Sequence, residues 1–283
     1  MIPMYSSTSA SSKKTSRPFQ AKLAQLPGSV RTIGLFFAIL IVGLAAWQLA
    51  VDQGWLMKLV PRPSQVWAAA VDVLGSPFYY AGSNDFGIGF HLLASLERVA
   101  LGFVLAAIVA VPLGFVIGIS ETFSKAIDPF VQLLKPVSPL AWLPIGLAVL
   151  KSSEGTAIFV IFISSIWPIL INTIFGVRST SGTYLKIART LEASRWMTIR
   201  HVLLPASLPN IVTGLRISLS IAWLVIIAAE MLVGGKGIGY YIWNEWNNLN
   251  LASIIVCIIL IGLIGLVLDK LLSAVEKRIK YES

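Results

Sequence analysis

The sequence predicts an all-α polytopic membrane protein with six transmembrane helices. Three observations carry that prediction. The 283-residue chain is 56% hydrophobic and only 12% charged, with a mean hydropathy of +0.81, too little charge to cover a soluble domain of this length. The apolar residues fall into six blocks, each long enough to cross roughly 30 Å of hydrocarbon as a helix. The blocks are continuous rather than alternating, which excludes a strand-built barrel. Helices remain, because they satisfy their own backbone polar groups inside the bilayer.

Taken in order, residues 1–31 form a Ser/Thr-rich, basic lead-in with the composition of a partly disordered tail. The first span, 32–51, is too long for a signal-peptide core and has no small-residue cleavage site, so it is read as retained. Residues 52–94 form an outer segment. Within it, Pro63 is placed to start a short helix with Val66, Ala69, Ala70, Val73 and Leu74 on one face, suited to a membrane surface. "GSPFYYAGSNDFGIG" then reads as a turn-rich loop, with His91 at its edge as a structural histidine. Residues 95–270 hold the other five spans, approximately 95–119, 127–150, 156–175, 212–233 and 251–269, together with a charged stretch over 177–211. A tail, 271–283, closes the chain. The single cysteine, Cys257, lies inside the sixth span and reads as a small apolar filler.

Charge placement orients these spans. Lys13, Lys14, Arg17, Lys22 and Arg31 precede the first span and Lys125 follows the second. Arg178, Lys186, Arg189, Arg195 and Arg200 separate the fourth from the fifth, and Lys270, Lys277, Arg278 and Lys280 follow the sixth. The opposite side holds only Lys58, Arg62, Lys151 and Lys236. Lysine and arginine accumulate on the cytoplasmic side, so both termini and the 177–211 stretch are expected there. The net charge of +9 thus reflects topology and contact with anionic lipid. A nucleic-acid partner is not expected.

The stretch "YLKIARTLEASRWMTIRHVLLPASLPNIVTGLRIS", residues 184–218, stands out between apolar blocks. Tyr184, Ile187, Ala188 and Leu191 make one apolar helical stripe, Ala193-Ser194 a break, and Trp196, Ile199 and Leu203 a second helical pattern. Pro205 and Pro209 are expected to end it. The residues alone leave three readings open: a helix pair lying on lipid, a solvated loop, or a tip that docks into a groove of a partner.

Function is bounded by what the spans contain. Pro112, Pro136, Pro139, Pro144 and Pro168 sit in or beside spans, and each removes a backbone hydrogen bond. "KPVSPLAWLP" is therefore expected to bend, around a translocation path with Ser138 and Trp142 available to line it. Charges inside a bilayer are costly and mark function or pairing. Arg98 is expected either to meet an anion or to pair with an acid, Glu230 to serve the architecture, and Arg216 to face an exit or a neighbouring helix. Neither "GLAVLKSS" nor "GGKGIGYY" is a nucleotide-binding loop. No His/Asp/Glu constellation at metal spacing indicates an enzyme.

"ARTLEASRWMTIRHVLLPASLPNIVTGLRIS" resembles the cytoplasmic EAA loop of ABC importer permeases, with Lys186-Ile187-Ala188 where that family has Glu-Ala-Ala and Glu192 in or beside its glycine slot. "SLERVALGFVLAAIVAVPLGFVIGIS" is similar to their first core helix. "LLKPVSPLAWLPIGLAVL", "IFVIFISSIWPILINTIFGV" and "IAWLVIIAAEMLVGGKGIGYYIWNEWNN" look like the subgroup for nitrate, nitrite, cyanate or bicarbonate, with taurine and sulfonate permeases as relatives. The resemblance covers about residues 60–275. It implies a type I ABC importer permease fold in a bacterial inner membrane, with cytoplasmic coupling helices between spans four and five. It also implies three partners: a second permease copy, cytoplasmic ATPase subunits that bind ATP and Mg, and a substrate-binding protein that is periplasmic or lipid-anchored. The chain itself would bind no cofactor or metal and catalyse nothing. Lys186, Ala188, Arg189, Leu191, Glu192, Ala193, Ser194 and Arg195 would couple to the ATPase. Arg98, Ser138, Trp142 and Trp167 would lie on the path of a small oxyanion, nitrate first and bicarbonate next. The competing expectation is a stand-alone secondary carrier or channel, which predicts shared polar residues in inverted halves; the sequence has no internal repeat.

Overall fold

A computed structural model describes residues 28–82 and 85–281, with side chains described over 32–82 and 85–278. Of the lead-in expected over 1–31, residues 1–27 lie outside the described residues and 28–31 open the first helix. In chain order the elements are α1 (Gly28–Asp52), α2 (Pro63–Gly75), a short antiparallel pair β1 (Tyr80–Gly82) and β2 (Asp85–Phe86), α3 (Ile88–Ile119) and α4 (Glu121–Leu134). A 3₁₀ turn (Pro139–Trp142) leads into α5 (Leu143–Leu150), followed by α6 (Ser153–Arg178), α7 (Gly182–Thr190) and α8 (Arg195–Thr198). A π turn (Ile199–Leu203) then joins α8 to α9 (Leu204–Val233), and α10 (Ile238–Asn247) and α11 (Leu251–Tyr281) complete the chain.

The chain divides into two units, 1–63 and 64–283. Within the first, α1 is apolar and its spanning window has no buried residue; the Arg62 guanidinium holds Asp52 at 3.0 Å just beyond it. The second unit carries the packed bundle. Pro63 opens α2, as its sequence predicts, and Val66 is the buried residue of that helix. The turn-rich loop contains the small β1–β2 hairpin, which no period-2 run in the sequence announced.

α6 is the centre of the bundle, flanked by α3 and α9 in its two most extensive interfaces. Small residues allow the approach. Gly102, Ala106, Ala110, Gly114 and Gly118 recur every fourth residue along α3. A Cβ at Gly102 would stand 2.7 Å from Ile161, and one at Gly114 2.6 Å from Thr173. Ala106 and Ala110 are fully buried. On the other flank, Gly176 meets Ser207 and Asn210, and Gly214 meets Asn172, while Ser218 donates to the Ser165 carbonyl at 3.0 Å. Small-residue stripes and interhelical hydrogen bonds replace the hydrophobic drive that lipid cannot supply. α11 closes on α9, where Trp223 Nε1 donates to the Ile261 carbonyl at 3.0 Å.

Among the described residues, five helical stretches are long and apolar enough to cross a bilayer: Thr32–Asp52, Ile88–Ile119, Ser153–Arg178, Arg195–Val233 and Leu251–Arg278. The third expected span is instead a bent pair, α4 against Pro139–Leu150, with 91° between the halves. It makes a sixth span only if both halves are counted together. The bend expected from "KPVSPLAWLP" is thus present, and it is sharper than a kink in one helix.

Other boundaries also differ from the hydropathy blocks. α3 begins at Ile88 rather than Ser95, because Ser95 and Arg98 are buried against the α9–α10 connection rather than solvated. α11 continues past residue 271 to Tyr281. The largest correction concerns 195–209. Pro205 and Pro209 do not stop the helix: Pro205 sits in the first turn of α9 and Pro209 inside it. The π turn widens the backbone just ahead of them, with the Leu204 N–H reaching Ile199 O. The expected second short helix is therefore the near end of the fifth span.

Candidate functional site

The charged stretch forms the end of the bundle opposite the β-hairpin. Ser181 caps α7 by accepting from the Thr183 N–H at 3.3 Å. α7 ends in a paired motif: the Glu192 N–H reaches Arg189 O and the Ala193 N–H reaches Ala188 O, both at 3.0 Å. This is a Schellman C-cap, whose outer residue takes the left-handed conformation that favours glycine. Glu192 holds that position with φ 51°. Its place beside the family's glycine slot in the resembling motif has a backbone reason. Ser194 then caps the next turn through the Met197 N–H at 3.2 Å, so the expected break at Ala193-Ser194 is present.

The eight residues singled out here are local neighbours with different exposures. Ala188 is buried and Ala193 half-buried; Lys186, Arg189, Leu191, Glu192, Ser194 and Arg195 are exposed. Tyr184, Ile187, Ala188 and Leu191, the predicted stripe, line one wall of a groove of ≈ 690 Å³, with Met197, His201, Val202 and Pro205 opposite. Leu191 and Trp196 are 74% and 70% exposed. The groove is lined mostly by apolar side chains, and Lys186, Arg189, Arg195 and Arg200 are exposed on the same stretch.

At the other end, α3, the 234–237 connection and the start of α10 converge on Glu230. This residue is 1% exposed and accepts from Ser95 Oγ at 2.8 and 2.9 Å, from Arg98 Nη1 at 2.8 Å and from the Gly239 N–H at 3.0 Å. Ser95 Oγ in turn accepts from the Ile238 N–H at 2.9 Å. Arg98 also donates to the Lys236 carbonyl. His91 Nδ1 lies 2.9 Å from Gly237 O and 3.1 Å from Gly237 N, so either tautomer ties it to that residue. The Lys236 ammonium rests over the rings of Phe86 and Phe90 at 4.8 and 5.1 Å. Glycine is required at several of these places. Gly234 and Gly235 have φ of 75° and 95°, and a Cβ on Gly239 would collide with Ile227 O.

This cluster resolves the two sequence alternatives for Arg98 in favour of an acid partner and gives Glu230 the architectural place expected of it. Arg216 faces a neighbouring helix. It pairs bidentately with Asp269 at 2.7 and 3.0 Å and reaches Glu276 at 3.1 Å. Thr213 donates to Glu276 as well. Ser138 precedes the 3₁₀ turn and is exposed, Trp142 ends that turn half-buried, and Trp167 packs into the α3–α6 core. These three do not converge with Arg98 on one cavity. Among the described residues no cluster of three or more His, Cys, Asp or Glu could hold a metal ion.

Outside the spans, α10 presents Trp243 and Trp246 at 42% and 51% exposure. Burial pushes the Glu245 carboxyl above the usual carboxylate range, against hydrogen bonds from Asn250 and Ser253. Sequence reasoning did not single out Ser95, Asp269 or Glu276. Ser95 carries no charge to flag it, and the two acids lie more than fifty residues from the arginine they serve.

Comparison with known proteins follows this geometry. Residues 110–281 match the family described as binding-protein-dependent transport system inner membrane component. The chain is 45% identical over 216 residues to a nitrate import permease protein of Leptolyngbya laminosa, covering 76% of this chain and 75% of that one. It is 46% identical over 204 residues to a bicarbonate transport system permease protein of Synechocystis, covering 71% and 72%. A taurine transport system permease protein of Escherichia coli is 32% identical over 213 residues, covering 75% and 76%. Among solved structures, the inward-facing MetNI methionine ABC transporter superposes with a TM-score of 0.53 at 17% identity, covering 65% of this chain and 93% of that one, a likeness of fold.

Proposed function

The chain belongs to the inner membrane components of binding-protein-dependent transport systems, and from that membership we propose that it is the permease subunit of an ATP-driven importer for a small inorganic oxyanion, most directly nitrate, with bicarbonate second. The observation that carries the substrate class is the near-equal similarity to a nitrate and a bicarbonate permease, above that to a taurine permease. Both anions are small, planar and monovalent, so a path built for one suits the other.

In this reading two copies of the chain enclose the path, and the α7 end lies in the cytoplasm, as the lysine and arginine bias suggests. The ≈ 690 Å³ groove and the capped tip at Glu192 meet a separate ATPase subunit, which holds ATP and Mg. The β-hairpin end, with α10, meets the substrate-binding protein. ATP hydrolysis belongs to the partner; this chain converts a displacement at α7 into a change at the far end. The mechanical link is physical: α8, the π turn and α9 form one 39-residue helical stretch from Arg195 to Val233. It is fixed to α11 by Arg216 near its middle and to α3 through Glu230 close to its far end. No feature of the fold favours a stand-alone carrier.

The test is uptake of ¹⁵N-nitrate into proteoliposomes holding this chain, its ATPase and its binding protein, with unlabelled bicarbonate, cyanate and taurine as competitors. Nitrate import blocked by nitrate and weakened by bicarbonate, with taurine inert, supports the reading. Import of taurine in preference to both anions overturns it.

A further inference from the structure

α2 carries more apolar surface than the bundle covers. Val66, Ala69, Ala70 and Val73, four of the five residues that the sequence spacing placed on one face, turn inward and are buried or half-buried. Val73 packs against the cluster of Ile88, Ile238, Ile242 and Cys257. Trp67, Val71 and Leu74 stay exposed, Trp67 at 73%. At about 100° per residue these three centre roughly 110° around the helix from the inward face. Gln65 and Asp72, also exposed, centre roughly 110° the other way. The helix thus has three faces: one on protein, one apolar and open, and one polar.

The position of α2 indicates what covers the open face. Ile88 is the first residue of α3 and Cys257 lies in the second turn of α11. Both helices are long and apolar enough to span a bilayer, so α2 lies beside the ends of two spans rather than beyond them. Phe78 continues the exposed apolar run and rests on the first turn of α3: its ring is 5.5 Å from that of Phe90, and a Cβ on Gly89 would strike it. The Gly89 N–H donates to the Pro77 carbonyl at 2.7 Å, which pins the end of α2 at that height. α2 contains no lysine or arginine, so it offers a bilayer an apolar face and not charge attraction to headgroups.

We propose that α2 is an interfacial anchor lying in the membrane plane at the hairpin end of the bundle. Trp67, Val71 and Leu74 sink into the boundary between headgroups and acyl chains, Gln65 and Asp72 face water, and Val66 and Val73 hold the protein. A helix wedged into the angle between a bundle and a leaflet needs those three chemistries on three sides. Tryptophan is a side chain that this boundary favours. The occupant of the open face is the lipid surface and not a second protein. The inference requires only that the bundle crosses a bilayer, whatever anion it carries.

The experiment places one nitroxide at a time on the assembled transporter in phosphatidylcholine nanodiscs. In a Cys257→Ala background the labelled variants are Gln65→Cys, Trp67→Cys, Val71→Cys, Asp72→Cys and Leu74→Cys, all at exposed positions. Collisions are measured with oxygen, which concentrates in lipid, and with a nickel chelate, which stays in water. Labels at 67, 71 and 74 should favour oxygen and report a depth of about 5–10 Å, whereas labels at 65 and 72 should favour the chelate. Exchanging the lipid for anionic phosphatidylglycerol should leave that depth unchanged. Chelate access at 67, 71 and 74 equal to that at 72 puts the stripe in water and overturns the anchor. Protection of all three from both reagents means that a protein covers the face, which overturns it as well. A depth that grows with anionic lipid does the same, because burial of an apolar face does not depend on headgroup charge.

Discussion

Glu230→Ala should be among the most damaging single substitutions in the bundle. The carboxylate is 1% exposed and accepts from Ser95, Arg98 and the Gly239 N–H within 3.0 Å. Removing it leaves the Arg98 guanidinium buried without its counter-charge, a loss of about 3–5 kcal/mol when one partner of a buried pair is deleted. The Gly239 N–H is orphaned as well, and such a group costs about 1–3 kcal/mol. The two effects overlap in one network and do not simply add, so about 4 kcal/mol is expected. Removing both charges together is different. Arg98→Met with Glu230→Leu leaves neither ion exposed to an apolar interior, and should lie within about 1–2 kcal/mol of wild type. The assay is SDS-driven unfolding of the purified chain in mixed micelles, followed by tryptophan fluorescence and closed as a double-mutant cycle. A Glu230→Ala loss below about 1 kcal/mol, or a double variant no more stable than the single, would refute the argument that this pair anchors α9 to α3.

Three further outcomes follow from the same geometry. Arg189→Glu, or deletion of residues 192–194, should lower transport by about tenfold or more while the ATPase still turns over, because each alters the tip that meets the partner; normal coupled uptake would exclude that role. Glu192→Gly should stabilise the chain by about 1 kcal/mol, since the position has φ 51° and glycine carries no steric penalty there; a loss in melting temperature would contradict the C-cap assignment. Gly114→Val should cost at least about 2 kcal/mol, because even a Cβ would stand 2.6 Å from Thr173 and overpacking is costly. Gly43→Ala, with nothing within 4 Å of its Cβ, is the control and should be near neutral in the same unfolding measurement.

Much of the fold was legible because the bilayer imposes long apolar blocks, and the break at Ala193-Ser194 and the bend at "KPVSPLAWLP" were legible because prolines and capping residues act locally. The small-residue stripe from Gly102 to Gly118 was present in the sequence at a strict spacing of four, yet only its partner helix gives it meaning: Ile161, Thr173 and Val177 fill the space it leaves. Pro205 and Pro209 misled because a proline forbids the regular hydrogen bond but not the wider π turn that precedes α9. Intramembrane charge marked Arg98, Arg216 and Glu230 as residues needing partners. It could not name the buried Glu230 as the acid for Arg98, since that choice depends on which face of α3 meets α9.

The most direct measurement is ATP-dependent nitrate uptake by proteoliposomes assembled with and without each companion. The account predicts that this chain, its ATPase, its binding protein and ATP are all required, with the chain alone leaving the vesicles tight to nitrate. Nitrate flux through liposomes that hold only this chain and no ATP would contradict it.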